Sequence, residues 1–343
     1  MSLPVDLKNI QTDLLANACP AIRLRIARKT GVILAQDEED LLAEVYRDER
    51  VREVLAAQRA DGWFYENFHG FSSMESAIRF LLEMGISPQA DPLQKAADAL
   101  YNASQERLQR GISKPGVYLE TLGFSGSATI RAWILAELGR EGEAAVQSRV
   151  EYALSVMRFT AGIATLDEIT TLRNGKLILK PDCSWPDLYH FRLLAATHNW
   201  RTPENMKLLV QAVNTMLCLQ PIPAIYGLYK HQIIAPAAFG LQMLTPELDI
   251  LSDGEWMAWF QRMDLFNRLG LLKNVVLLQH YTHAYFQWLL PEKGWFMKPL
   301  RHPYFSKWGA YTGLMLEKDW RVTRRRIHDL TFRTLLMGIG VED

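Results

Sequence analysis

The densest group of side chains that could do chemistry lies within residues 180–204, in the stretch KPDCSWPDLYHFRLLAATHNWRTPE. A short loop carries carboxylates and a thiol, and the predicted helix that follows carries imidazoles. These side chains are Asp182, Cys183, Asp187, His190 and His198. Groups of these types act as general acids and bases or as metal ligands. Loops at helix starts are common binding sites, but the side chains of such loops can also serve only to pack against the core. Both interpretations stay open.

The helix of this segment is predicted to begin near Pro186, because proline is favoured at the first helical position. His190 and His198 then lie on one face, since residues three and four apart are neighbours on a helix. Asp182 and Asp187 flank the helix start, and capping explains both acids without catalysis. The segment is therefore a candidate site with a competing structural explanation.

Two further imidazoles, His280 and His283, lie in the stretch QHYTHAYF on a predicted helix rich in aromatic residues. A histidine on such a face is often explained by hydrogen-bonded packing. We take Asp182, His190 and His283 as the candidate catalytic residues.

Aromatic residues are numerous, with 10 Trp, 12 Tyr and 14 Phe. In a cavity, aromatic faces stabilise cations, contact an isoprenoid tail or stack on sugar rings. The candidates near helix ends or in loops are Trp63, Trp185, Trp200, Tyr226, Tyr229 and Trp288. We expect some of them to line a ligand cavity and the rest to pack in the core.

Apolar residues at helical spacing predict helices along most of the chain, including residues 93–108 and 307–316. Ser72 and Glu75 are in capping-box register at the start of one such helix. The region 114–126 is predicted to be a loop, because glycines and aromatic residues dominate it. These patterns indicate an all-α fold.

One hairpin-like signal interrupts the helices. Asn174 and Gly175 separate two short runs of β-branched or apolar residues, which predicts a small β-hairpin inserted near residues 168–179. No stretch predicts a parallel sheet. Prolines at 221 and 223 indicate an extended segment there.

Composition limits the function classes. The formal net charge is +0 with a sequence pI ≈ 7.1, so no overall attraction to nucleic acid is expected. No apolar run reaches the roughly 20 residues of a membrane span. The N-terminal stretch lacks the pattern of a secretory signal, and the three widely spaced cysteines are typical of a reducing compartment. We expect a single domain over residues 1–343 and a cytoplasmic location.

Four residues carry a family resemblance. Gln58, Asp61, Gly62 and Trp63, followed by a helix that ends in a Leu and Gly turn, resemble the repeat of the terpenoid cyclase and protein prenyltransferase superfamily. The stretches CPAIRLRIARKTG and SKWGAYTGLMLEKDW are similar to uncharacterised bacterial proteins with prenyltransferase and squalene-oxidase repeats. Similar Leu and Gly helix endings recur at WILAELG, DLFNRLG and TLLMGIG. The resemblance implies an α/α toroid, in which inner and outer rings of helices surround a central cavity.

The catalytic motifs of the superfamily transfer only in part. The DxDD and DDxxD motifs of terpenoid enzymes are absent from the sequence, so it stays open whether the chain is an enzyme. Protein prenyltransferases bind zinc through a DxC pair and a downstream histidine. Here Asp182 and Cys183 are adjacent and His283 follows far downstream, so the resemblance implies zinc as a candidate cofactor held by these three residues.

The function favoured by the sequence is binding of a small apolar, isoprenoid-like ligand in the central cavity, with prenyltransferase- or cyclase-like chemistry if the chain is catalytic. The alternatives are a non-catalytic toroid that binds a small molecule or a protein partner, and a carbohydrate-active toroid. The basic run RVTRRR at residues 321–326 is predicted to be a solvated helix face rather than a polyanion site.

Overall fold

Helices form most of the chain in the computed structural model, which describes residues 3–32, 35–219, 222–242 and 244–342. The first eight α-helices are α1 (Leu7–Asn17), α2 (Pro20–Thr30), α3 (Ala35–Arg47), α4 (Glu49–Ala56), α5 (Met74–Glu83), α6 (Asp91–Tyr101), α7 (Gln105–Leu108) and α8 (Ser127–Glu137). The later ones are α9 (Ala144–Ala161), α10 (Leu166–Ile169), α11 (Leu188–Ala196), α12 (Pro203–Cys218), α13 (Asp253–Arg268), α14 (Val276–Trp288) and α15 (Thr323–Glu342).

Local sequence signals explain many of the helix ends. Side chains accept backbone N–H groups at the starts of α1, α4, α5, α11 and α12. Three of the recurring Leu and Gly turns end α5, α8 and α13, where Gly85, Gly139 and Gly270 have positive φ angles that glycine adopts without strain. The fourth, TLLMGIG, lies inside α15 instead and ends no helix.

Helix packing follows the chain order. α8 packs on α9 and α11, α9 packs on α12, and α12 packs on α14. α11 packs on α13, α13 packs on α15, and α15 packs on α1 and α2. Each contact buries an apolar face, and the buried residues form one continuous hydrophobic core.

A small sheet accompanies the helices. Its strands are β1 (Thr170–Arg173), β2 (Lys176–Leu179), β3 (Ile225–Tyr229) and β4 (Gln232–Ile234), in the order β1-β2-β3-β4. The first two strands form the predicted antiparallel hairpin, with Arg173 opposite Lys176. β2 and β3 pair in parallel, contrary to the prediction of no parallel pairing, and Pro221 lies outside the described residues. Two separate short segments thus complete one sheet that the sequence showed only in part.

Three local predictions were wrong. The helix expected over residues 307–316 is an irregular segment, because Gly313 has a φ angle of 95° and its neighbours turn their carbonyls toward arginines. The helix expected over 93–108 is broken between α6 and α7. Within the expected loop 114–126, residues Pro115–Leu122 form a 3₁₀ helix.

The fold is helix-rich with a small four-stranded sheet. No helix in the described part of the chain is long and apolar enough to cross a membrane.

Candidate functional site

The most chemically distinctive space in the described structure is a cavity of about 230 Å³ that six helices line. α2, α5, α8, α11, α13 and α15 each contribute side chains to it, and the irregular segment before α15 contributes Gly313 and Leu314. Five arginines and three acids lie in its walls. These are Arg25, Arg79, Arg192, Arg268 and Arg333, with Glu83, Glu137 and Asp264. We call this space the arginine cavity.

Arg79 is the arginine of the cavity wall that forms no ion pair among the described residues, and it lies beside Arg192. Nη1 of Arg79 donates to the carbonyls of Gly309, Ala310 and Thr312, the latter two at 3.1 and 3.3 Å, and its side chain has no carboxylate partner among the described residues. Nη1 of Arg192 donates to the same Ala310 oxygen at 3.0 Å. Two guanidinium groups therefore meet at one oxygen. Burial and the charge of Arg192 lower the pKa of Arg79 to about 10.

Ion pairs compensate the charges elsewhere in the cavity wall. Glu83 Oε2 accepts from Nη1 of Arg25 and, at 2.7 Å, from Nη1 of Arg333. Burial alone would raise the pKa of Glu83, but these two arginines hold it well below its usual range. Glu137 Oε1 accepts from Nη2 of Arg268 at 2.6 Å. These carboxylates are occupied by protein partners, so they hold the cavity together.

Asp264 and Gln261 differ from these paired groups. Within the described chain, Asp264 accepts no hydrogen bond and forms no ion pair, although it lines the cavity. Burial and the nearby Glu83 charge raise its pKa. Nε2 of Gln261, one turn earlier on α13, is buried and has no hydrogen-bond partner among the described residues. A buried polar group without a partner is costly, so both side chains are available to a ligand.

A buried network lies behind the cavity wall. Glu75 is fully buried, and its Oε1 accepts a hydrogen bond from Tyr189 Oη at 2.6 Å and lies 3.5 Å from Arg192 Nη1. Its Oε2 lies 2.7 Å from Nδ1 of His69, whose Nε2 lies 2.9 Å from Tyr311 Oη. Burial opposes ionisation, but His69 and Arg192 lower the pKa of Glu75 below its ordinary value. Glu75 therefore anchors Arg192 at the cavity.

The capping box at the start of α5 explains the position of Glu75. Ser73, rather than Ser72, caps α5, and it exchanges hydrogen bonds with Ser76. Because Ser76 completes the capping box, Glu75 is not used for capping and points into the core. Arg79 follows one turn later on the same helix.

At the start of α11, the polar groups of the segment 180–204 serve local structure, whereas Arg192 of the same segment lines the arginine cavity. Asp187 caps α11 and accepts hydrogen bonds from the backbone N–H groups of Tyr189 and Ser125, at 3.0 and 2.8 Å, and from Ser125 Oγ. His190 is fully buried, and its Nδ1 accepts the Asp187 N–H at 3.2 Å. Burial opposes ionisation of Asp187, but His190 and Ser125 lower its pKa. The capping explanation is confirmed for Asp187, and His190 lines no wall of the arginine cavity.

The predicted zinc ligands do not converge. Asp182 and His283 are exposed, and Cys183 is half-buried. No three His, Cys, Asp or Glu side chains among the described residues form a group that could hold a metal ion. The structure therefore gives no support to a zinc site at Asp182, Cys183 and His283, or to a joint catalytic role of Asp182, His190 and His283.

The predicted cavity aromatics lie outside the arginine cavity. Trp63 is buried beneath the guanidinium of Arg107, which lies 4.2 Å from its ring. Tyr229 stacks on Tyr118 with ring centroids 3.9 Å apart. The others pack or lie elsewhere: Trp185 and Trp200 are buried, and Tyr226 and Trp288 are half-buried. Sequence reasoning missed two aromatic rings of the cavity wall, Phe260 and Trp133, and the guanidinium of Arg192 lies 4.8 Å from the Trp133 ring.

A periodic signal for the missed residues exists in the sequence. Glu75 and Arg79, and likewise Asp264 and Arg268, stand four residues apart within otherwise apolar helix faces. Charged residues on the inner face of an amphipathic helix are unusual, because burial requires a partner. That pattern marks the helices that line the cavity.

Comparison with known proteins assigns no family to the chain. No protein-family model matches it, and no curated protein and no solved structure matches it. The resemblance to terpenoid cyclases and protein prenyltransferases stays a prediction from the sequence.

Proposed function

We propose that this chain is an α/α toroid that binds a small amphipathic ligand with an anionic group in the arginine cavity. The observation that carries the proposal is the pair formed by half-buried Arg79 and buried Arg192, whose guanidinium groups share one carbonyl oxygen in a space that six helices line. Arginine binds carboxylate and phosphate groups through two parallel hydrogen bonds. An anion between these groups would offset their mutual repulsion.

The order of the helices supports the toroid part of the proposal. The six helices that line the cavity alternate along the chain with helices that contribute no residue to its walls. Lining helices α5, α8, α11 and α13 are each followed in the chain by a helix that contributes no residue to the cavity wall, namely α6, α9, α12 and α14. Such alternation is what an inner and an outer ring require.

Cavity size and lining define the ligand class. The cavity volume of about 230 Å³ is somewhat larger than the roughly 150 Å³ of a cavity that holds one benzene molecule. A cavity of this size therefore suits a small ligand. One part of the wall is apolar and contacts the ligand body: Ile78, Leu82, Ile134, Leu188, Leu265 and Leu314. A short isoprenoid that carries a diphosphate or carboxylate combines both requirements.

A ligand without charge, as the sequence alone favours, is the second candidate, and the apolar part of the wall favours it. A carbohydrate-active toroid is disfavoured, because such enzymes use two free carboxylates. Glu83 and Glu137 are held by arginines, which leaves Asp264 as the one unpaired acid of the described cavity wall. The proposal concerns binding and assigns no reaction.

Isothermal titration calorimetry with three probes tests this proposal. Geranyl diphosphate contains both features, geraniol lacks the anionic group, and pyrophosphate lacks the apolar chain. We expect geranyl diphosphate to bind most tightly and Arg79→Gln to weaken it by at least about tenfold. Arg79→Lys, which keeps the charge, should lose less.

Arg52→Gln is the matched control. Arg52 is exposed on α4, and its substitution removes the same charge outside the cavity. Circular dichroism verifies that each variant is folded at the temperature of titration. Equal affinity for geraniol and geranyl diphosphate would overturn the anionic part of the proposal. No binding of any probe would overturn the ligand class.

A further inference from the structure

A second basic pocket lies at the start of α15, away from the arginine cavity. Its volume is about 570 Å³, and it shares no lining residue with the arginine cavity. Four permanently cationic side chains and one carboxylate line it. These are Arg301, Lys318, Arg321 and Arg326, with Asp319. We call this space the α15 pocket.

Arg326 is the unusual member of this group. It is only 6% exposed, its Nε has no hydrogen-bond partner, and its side chain forms no ion pair or hydrogen bond within the described residues. Burial, together with the charge of Arg301, lowers its pKa. A buried charge without a partner is strongly destabilising, whereas other buried arginines of this chain donate to carbonyl groups or carboxylates. The described part of the chain therefore supplies no anionic partner for the guanidinium of Arg326.

The acids near the pocket are already occupied. Asp319 accepts from both the backbone N–H and Nε of Arg321, at 2.9 and 3.0 Å. Asp253 accepts the backbone N–H of Arg301 at 2.5 Å. Neither carboxylate forms a hydrogen bond or an ion pair with Arg326, although the charge of Asp253 partly offsets the lowering of the Arg326 pKa. The pocket lining itself has four cationic side chains and one carboxylate, so it keeps an excess of positive charge.

The helix itself adds to the attraction for anions. Thr323 is the first residue of α15, which is 20 residues long, and it lines the pocket. The first N–H groups of a helix have no acceptor within the helix, and its dipole favours negative charge at this end. Phosphate groups are commonly bound in such positions when a basic side chain is added.

We propose that the α15 pocket binds a phosphate group, either as free phosphate or as a phosphate monoester, with Arg326 as its buried anchor. The prediction of a solvated helix face for residues 321–326 is thereby corrected at Arg326, since the buried member of the basic run faces the pocket. The exposed members, such as Arg321, would add long-range attraction. This inference does not depend on the function proposed for the arginine cavity.

Titration calorimetry with inorganic phosphate and with glycerol 3-phosphate tests the site. We expect both probes to bind wild-type protein and Arg326→Gln to weaken binding at least about tenfold. Tighter binding of glycerol 3-phosphate would identify a monoester site, and equal binding would identify a site for free phosphate. Arg325→Gln is the control, because it removes the same charge from the neighbouring residue, which does not line the pocket.

Stability without ligand provides a second readout. Because Arg326 has no partner in the chain, we expect Arg326→Gln to unfold at the same or a higher temperature than the wild type, and phosphate to raise the melting temperature of the wild type alone. Phosphate binding should persist in Arg79→Gln, which separates this pocket from the arginine cavity. Absence of phosphate binding by the wild type, or equal affinity in Arg326→Gln, would overturn the proposal.

Discussion

The arginine cavity and the segment 182–190 at the start of α11 contain similar side chains but use them in opposite ways. In the segment, polar groups that are neighbours in sequence bind each other and the adjacent backbone, as Asp187 and His190 do. In the cavity, charged groups come from six helices, and several keep unused hydrogen-bonding capacity. A local concentration of polar residues thus marks a helix start here, whereas the candidate ligand site arises from residues far apart in sequence.

Two acids, buried Asp187 and half-buried Asp264, show this contrast in their ionisation. Asp187 has its pKa lowered by His190 and Ser125 despite burial, and Asp264 has its pKa raised by burial and by Glu83. A lowered pKa in the folded state adds stability above the unfolded value of about 3.9, and this is lost in acid. A raised pKa has the opposite effect. The stability that the group contributes falls as the pH rises from about 3.9 through the folded pKa.

The largest expected effect is at Glu75, which connects the two regions through Tyr189 and Arg192. We expect Glu75→Gln to lower the free energy of unfolding by about 3 to 5 kcal/mol, because Arg192 loses its buried counter-charge. Urea unfolding followed by circular dichroism measures the change. Glu53→Gln on the exposed face of α4 is the control and should stay within about 0.5 kcal/mol. A similarly small change at Glu75 would contradict the role of this network.

A smaller loss is expected at Asp187. Asp187→Asn removes a carboxylate that accepts two backbone N–H groups, so the free energy of unfolding at pH 7 should fall by about 2 to 4 kcal/mol. The difference from wild type should shrink only below about pH 4, as the wild-type carboxyl becomes protonated. Asp182→Asn makes the same chemical change at an exposed position and should alter stability little. Equal losses in the two variants would show that capping at Asp187 is unimportant.

The smallest effect, with the opposite sign, is expected at Asp264. Asp264→Asn removes an unpaired, half-buried carboxylate, so ligand-free protein should become slightly more stable at pH 7. The difference should vanish below about pH 3, where the wild-type carboxyl is protonated in both states. Thermal unfolding at the two pH values measures it. Destabilisation at pH 7 would indicate that Asp264 is ionised and well compensated in the cavity.

The sequence predicted the helix-rich fold and the β1-β2 hairpin, because periodicity and the Asn174 and Gly175 turn are local signals. It did not predict the pairing of β2 with β3, which depends on a contact between distant segments. The sequence predicts a helix over residues 307–316, in the irregular segment before α15, because apolar residues there stand at helical spacing. The carbonyl groups of this segment bind Arg79, Arg192 and Arg333 instead.

The candidate site was less predictable than the fold. Arg79 and Asp264 belong to different helices, and only tertiary packing shows that both line one cavity. Sequence reasoning selected Asp182, Cys183 and His283 by residue type and family resemblance, and the described structure does not bring these three together. Residue type alone did not show which side chains already have partners.

Hydrogen–deuterium exchange with and without saturating geranyl diphosphate locates the ligand most directly. We predict slower exchange in Met74–Glu83 and Asp253–Arg268, the helices that carry Arg79 and Asp264, with no change over the exposed loop around Asp182. The Arg79→Gln protein should lose this protection at the same ligand concentration. Protection confined to the loop around Asp182 and Cys183 would contradict binding in the arginine cavity and would restore that segment as the ligand site.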